Sequence, residues 1–193
     1  MQLTTVILSL FAAAASAAPT SGSCQPPTRK FGIMALRSAS PIHFARAGAS
    51  QNKMALNLPE SRLDAQCADG QPRAEAIFYI KDGELYLYGN EDNVQQFLVD
   101  RSGMGQGVLQ YFTRGETAPG GRLEVKGWAV DENDNLTFNG SGFLACPSTT
   151  DSSWNVWVSA GVDKPAGQEG CLGFTARTVT VADPVKCTYS NFA

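Results

Sequence analysis

Apolar and polar positions in this chain alternate in short runs, each bounded by a turn signal. Ala76–Ile80 and Leu85–Tyr88 flank Lys81-Asp82-Gly83-Glu84. An Asp-Gly pair between two β-rich runs predicts a tight hairpin, because glycine accepts the positive φ that such a turn needs. A third run, Gln96–Asp100, follows a polar loop, and Val108–Phe112 follows Ser102-Gly103-Met104-Gly105-Gln106-Gly107. Glycines at alternate positions imply a sharp turn or a close approach of backbones. The same spacing invites comparison with a phosphate cradle, yet a phosphate loop opens a helix and the residues after Gly107 read as strand.

Further along, Gly127–Val130 and Leu136–Phe138 predict a second hairpin around Asp131-Glu132-Asn133-Asp134. Trp154, Val156 and Val158 alternate with Asn155, Trp157 and Ser159. That period of two puts the first three on a core face and Trp157 on the opposite one. Phe31–Arg37 predicts a first strand, followed by a turn at Ser40-Pro41 and a short run, Ile42–Phe44. Met54–Leu58 reads as a short strand and Phe174–Val181 as a long final one. Phe31–Phe44, Ile77–Tyr88 and Trp128–Phe138 recur at intervals of about fifty residues. These units predict an all-β domain of about ten to twelve short antiparallel strands, closed as a β-trefoil-like barrel without exposed edges. A β-sandwich is the alternative. Composition agrees: only 17% of the 193 residues are charged and 19 are glycine, which suits short strands better than helices.

Met1–Ala17 stands apart from this pattern. Its apolar stretch Val6–Ala15 ends in Ala15-Ser16-Ala17, small residues that fit a signal-peptidase site. Residues 1–17 are therefore expected to be a signal peptide, and 18–193 a single secreted all-β domain. The stretch is shorter than the ~20 apolar residues that span a bilayer, and Tyr189–Ala193 carries no hydrophobic tail for a GPI signal. No transmembrane segment or lipid anchor is expected.

Charge and chemistry narrow the functional classes. The formal net charge is −3 and no basic cluster occurs, so nucleic acid is not an expected partner. His43 is the only histidine, which leaves no two-histidine metal site in one chain. A Ser-His-Asp triad would have to use His43, and no GxSxG elbow accompanies it. The acidic turn Asp131–Asp134 lacks the glycine and terminal glutamate of a calcium loop. Glycosidase carboxylates face each other across a cleft at roughly 5 to 9 Å, which adjacent turn residues seldom do, although Asp100, Glu84 or Asp163 could approach from elsewhere. The expectation is no catalytic residue, no metal and no cofactor.

Three sets of residues remain as candidates for modification or binding. Asn135-Leu136-Thr137 and Asn139-Gly140-Ser141 are N-glycosylation sequons, and their spacing puts both asparagines on one outward face. Trp128 and Trp157, with the tyrosines, form a candidate sugar-stacking platform. Five cysteines follow the leader: Cys24, Cys67, Cys146, Cys171 and Cys187. A monomer can thus form at most two bridges and keeps one thiol. Closure of a barrel would bring first and last strands together and with them Cys24 towards Cys187, with Cys146 and Cys171 paired and Cys67 odd. An odd cysteine is least harmful where the chain is loosest, which favours instead leaving Cys24 odd near the N-terminus.

Phe78–Tyr88 (FYIKDGELYLY) followed by Phe97–Gly107 (FLVDRSGMGQG) resembles the PhiA-type cell-wall proteins of filamentous fungi, a family named for phialide formation. Cys24–Leu36 (CQPPTRKFGIMAL), Gly127-Trp128, Ala145–Pro147 and Gly170-Cys171 extend the resemblance over nearly the whole mature chain. It implies a secreted wall protein with a structural or interaction role in phialide and conidium development, from a family whose members are also met as allergens. It carries no catalytic motif across. Wall polysaccharide or wall proteins are the implied partners, and a wall-polysaccharide lectin or glycoside hydrolase is the alternative.

Gln66–Pro72 resembles the QxxDGQ repeat through which Pir-type wall proteins are ester-linked to glucan, with Gln71 at the linked position. It departs from that pattern in having one copy and in placing Cys67 where the repeat has an aliphatic residue. The order Cys67, hairpin, Gly127-Trp128, Asn135-Leu136, Phe143–Cys146, Cys171 and Cys187 also resembles the Pir cysteine domain. That resemblance implies Cys67, Cys146, Cys171 and Cys187 as the bridging set. Cys24 is then the free thiol, available for an intermolecular disulfide.

Overall fold

Strand formation follows the alternation described above. The computed structural model describes residues 28–116 and 120–191, so the expected leader and Cys24 lie outside the described residues. The strands are β1 Phe31–Leu36, β2 Ala47–Ser50, β3 Lys53–Leu56, β4 Gln66–Cys67, β5 Phe78–Lys81, β6 Glu84–Leu87 and β7 Gln95–Asp100. They continue with β8 Val108–Thr113, β9 Trp128–Val130, β10 Asn135–Phe138, β11 Phe143–Pro147, β12 Trp154–Val158, β13 Leu172–Thr180 and β14 Cys187–Thr188. Helical geometry among the described residues is confined to two single turns, Glu60–Arg62 and Pro165–Gly167.

Nine strands close into an antiparallel ring in the order β1-β5-β6-β7-β8-β3-β12-β11-β13. The seam runs from Phe31↔Thr180 to Leu36↔Thr175 between β1 and β13. Closure gives each of these strands a partner on both sides, which is how a barrel removes its edges. The barrel expectation therefore holds, with the three recurring units in different places. The β5–β6 hairpin belongs to the ring, whereas the β9–β10 hairpin stands outside it on β13. The first unit supplies β1 and then a turn. Ile42–Phe44 does not extend as a strand: Ala45 N–H bonds to Ile42 O at 3.0 Å, and Phe44 takes φ 65°. His43 serves that turn, its Nδ1 accepting the Arg37 N–H at 3.1 Å.

One connected string of rings fills the interior. Phe31 stacks on Phe78, Phe78 meets Phe97, and Phe97 touches both Tyr111 and Trp128. Trp128 continues to Phe138 and Phe143, and Phe143 to Phe174. Truncating such a buried ring to alanine typically costs about 3–5 kcal/mol. β2 (AGAS) shows why alternation alone misses some strands. All four residues are buried, and Gly48 is required because a Cβ there would come within 2.3 Å of Ala74 O.

The chain ends by plugging one side of the barrel. Cys187 N–H bonds to Tyr88 O at 3.1 Å, and Asn52 N–H to Ser190 O at 3.2 Å. Gln95, 2% exposed, imitates a strand partner: its Nε2 donates to Tyr189 O at 2.7 Å and its Oε1 accepts Tyr189 N–H at 2.9 Å. The Tyr111 phenol donates to Ser190 O, and burial pushes the Tyr189 phenol up to about 12.

Candidate functional site

β7 ends at Asp100, and that carboxylate organises the loops around an open depression on the surface. Its Oδ1 accepts Ser102 N–H at 2.9 Å and its Oδ2 accepts Arg122 N–H at 3.3 Å, joining two loops distant in sequence. The glycine loop folds around it. A Cβ on Gly105 would lie 2.3 Å from the Asp100 carboxyl, and Gly107 combines φ 94° with Val158 O only 2.0 Å from its would-be Cβ. Close approach and positive φ therefore explain these two glycines, and β8, not a helix, follows them.

The depression, of about 630 Å³, lies among Arg101, Arg122, Glu124, Ser141 and Ser159. A second, of about 500 Å³, also uses Ser159 and extends over Gly142 to Arg37 and Gly173. Joined at Ser159, they make an open trough whose first part is polar and whose second part also presents Leu36 and Leu144. Arg101 grips Glu124 with two hydrogen bonds, 2.9 and 2.6 Å, and its guanidinium lies 5.1 Å from the Phe138 ring centre. Arg37 is pinned by Nη1 donating to Gly173 O at 2.6 Å. Apart from Ser141, which completes the second sequon, these residues carry no sequence signal of their own, since the trough is assembled from the ends of separate loops.

Electrostatics set what the carboxylates can do. Hydrogen bonds from Ser102 hold the Asp100 carboxyl below its ordinary range. Hydrogen bonds from Arg101 do the same for Glu124. A glycosidase acid needs the opposite shift. Glu84 accepts hydrogen bonds from Tyr86 and from Gln96 at 2.8 Å, while Asp163 is exposed. In the acidic turn, Asp131 Oδ1 accepts N–H groups of Asn133 and Asn135 at 2.9 and 2.8 Å, and backbone hydrogen bonding lowers its pKa. Asp134 pairs with Arg29 at 2.7 Å. Asp131 thus holds its turn in shape. Among the described residues no group of three or more His, Cys, Asp or Glu is placed to hold a metal ion, and no helix is long and apolar enough to cross a membrane.

The two tryptophans of the expected platform separate. Trp128 is 3% exposed and lies 4.9 Å from Phe138 and 6.2 Å from Phe143. It is a core residue with no face left for a sugar, because the β9–β10 hairpin folds inward against the ring. Trp157 is half-buried on the outer side of β12, opposite Val108 of β8. The sequons also differ. Asn135 donates Nδ2 to Asp131 at 3.2 Å and accepts Arg177 Nε at 3.1 Å. Asn139 is exposed in a turn at φ 47°. Gln71 is exposed too, its N–H bonded to Asp69 Oδ1 at 3.1 Å, with Arg73 pairing to the other Asp69 oxygen.

Disulfides join Cys67 to Cys187 and Cys146 to Cys171. The first ties the two-residue strands β4 and β14 together, at register Cys187↔Cys67. Cys67 therefore has a partner in the last strand, contrary to the pairing argued from barrel closure alone. That argument took the first cysteine to lie on the first barrel strand, whereas β1 begins only at Phe31.

A closed, disulfide-stapled β-barrel with an open polar trough defines a class of extracellular domain rather than a reaction. Residues 31–190 match the model of the PhiA-like secreted protein family, and the chain belongs to that family. It is 44% identical to a cell wall protein phiA of Emericella nidulans over 193 residues, 99% of this chain and 100% of that protein. It is 39% identical to one of Aspergillus fumigatus over 192 residues, 99% and 100% of the two chains. A cell wall protein phiA of Arthroderma benhamiae is 40% identical over 169 residues, 86% of this chain and 89% of that one. No solved structure matches. The protein is secreted, and its place is the fungal cell wall.

Proposed function

We propose that this protein is a non-catalytic structural and interaction component of the fungal wall that serves phialide and conidium development, contacting wall polysaccharide through the trough around Ser159. Residues 1–17 act as its signal peptide. The observation that carries the reading is kinship along nearly the full chain with proteins named for the wall and for phiA. The trough supports it, since an open channel that offers guanidinium and hydroxyl groups at one end and Leu36 and Leu144 at the other suits an extended polymer better than a small enclosed substrate. Asn139 is the better exposed glycan acceptor, and Asn135 the second. Wild type should co-sediment with at least one of β-glucan, chitin or mannan and release no reducing sugar. Arg122→Ala, which removes a charge-assisted contact, and Ser159→Tyr, which obstructs the trough, should each weaken retention by roughly tenfold. A strain lacking the protein should form defective phialides, and the trough variants should fail to restore them. Sugar release by wild type, or full rescue by both variants, would defeat the reading.

A further inference from the structure

The segment between β12 and β13 folds back over the outer wall of the barrel as a flap. One end is fixed by the Cys146–Cys171 disulfide. Its middle is fixed by Ala166 N–H donating to Gln106 Oε1 at 2.7 Å. Gln168, between these two ties, is thereby set over Trp157 and Val108. A small cavity of about 30 Å³ lies there, lined also by Lys53 and Asn155. Two buried polar atoms belong to its lining residues and have no protein partner: Trp157 Nε1 and Gln168 Oε1. Leaving either unpaired costs about 1–3 kcal/mol. The two atoms are not bonded to each other either, so two unpaired groups in residues lining one cavity demand an explanation.

The chemistry of the pair specifies its ligand. The indole N–H can only donate and the amide oxygen can only accept. A carbonyl would satisfy Trp157 alone, and an ammonium would satisfy Gln168 alone while facing Lys53. A hydroxyl group does both, accepting from Trp157 and donating to Gln168. The volume agrees, since one water-sized group needs about 10–15 Å³ on this measure. We propose that the cavity beneath the flap is a binding site for a single hydroxyl group, supplied by solvent water or by a sugar hydroxyl of a wall glycan. Because the flap is tied on both sides of Gln168, the site is prebuilt and loses little ordering entropy on binding. It shares no lining residue with the trough, so it stands or falls independently of that surface.

Indole N–H resonances of the full secreted protein test this. Trp157→Phe identifies the Trp157 signal by its disappearance. In wild type that signal should show a long-lived contact with water protons. Titration with laminarihexaose, chitohexaose and mannohexaose then separates the sources. A sugar that enters the site shifts the Trp157 signal and removes the water contact, and Trp157→Phe and Gln168→Leu each weaken it roughly tenfold, one hydrogen bond's worth. If no sugar shifts the signal while the water contact persists, solvent is the source and the hydroxyl site stands. An indole N–H in contact with neither water nor sugar overturns the proposal, as does a water contact that Gln168→Leu leaves unchanged. Should Trp157→Phe fail to fold, triple-resonance assignment identifies the Trp157 signal among the three indoles, and Gln168→Leu, a change on the flap outside the barrel ring, still reports.

Discussion

Gln95 shows how much one side chain can carry. It is buried at the start of β7 and supplies both halves of a strand-like pairing with Tyr189. Leucine at this position fills similar space but leaves the Tyr189 N–H and C=O without partners. Gln95→Leu should therefore cost about 2–4 kcal/mol, read as a lower urea midpoint; an unchanged midpoint would show that the C-terminal plug contributes nothing. Asp151 acts through charge. Burial works to raise its pKa, but hydrogen bonds from Ser153 and from Arg62 outweigh it and bring the carboxyl down to about 2. The folded state then binds this proton less readily than the unfolded chain, whose carboxyl stays near 3.8. Its stabilisation is complete above the unfolded pKa and is lost as pH falls towards 2. The difference in melting temperature between wild type and Asp151→Asn should be full at pH 5 and nearly gone at pH 2. A difference independent of pH would assign Asp151 an uncharged role.

Two-residue strands such as β4 and β14 make too few hydrogen bonds to persist alone, so the disulfides decide whether these elements exist. Cys67–Cys187 spans 120 residues and Cys146–Cys171 spans 25. On the loop-entropy account, removing them costs about 5 and about 3.5 kcal/mol respectively. Paired Cys→Ser replacements compared by denaturant titration should rank in that order. The larger loss should also detach the last strand, seen as faster amide exchange at Tyr189 and Ser190. The reverse ranking would place the greater constraint in the flap.

The two bridges use four of the five cysteines, so Cys24 has no intrachain cysteine left to pair with. We expect it to retain the molecule in the wall through an intermolecular disulfide in that oxidising setting. A reducing agent should release part of the wall-bound protein, and Cys24→Ser should move that part to the medium. Mild alkali should release little more. If alkali frees the bulk, reductant frees none and Gln71→Ala prevents retention, an ester at the exposed Asp69-Gly70-Gln71 turn holds the protein instead.

Strand class and most strand positions were legible in the amino-acid order, because a half-buried strand writes a period of two and an Asp-Gly turn writes its own geometry. β8 is read to within one residue at its end, and the β5–β6 hairpin and β13 to within two. Barrel closure was legible more coarsely, from repeated strand units that need partners on both sides. What local order cannot show is which outward-looking residue another element will cover. Trp128 and Trp157 look equivalent along the chain. Trp128 is enclosed because β9–β10 folds against the ring, and Trp157 borders a cavity because a disulfide-tied flap crosses its strand. The same holds for β2, whose small residues carry no alternation, and for the trough, whose arginines and serines meet only once Asp100 draws two distant loops together. Those contacts depend on closure of the chain in three dimensions, where sequence separation no longer measures distance.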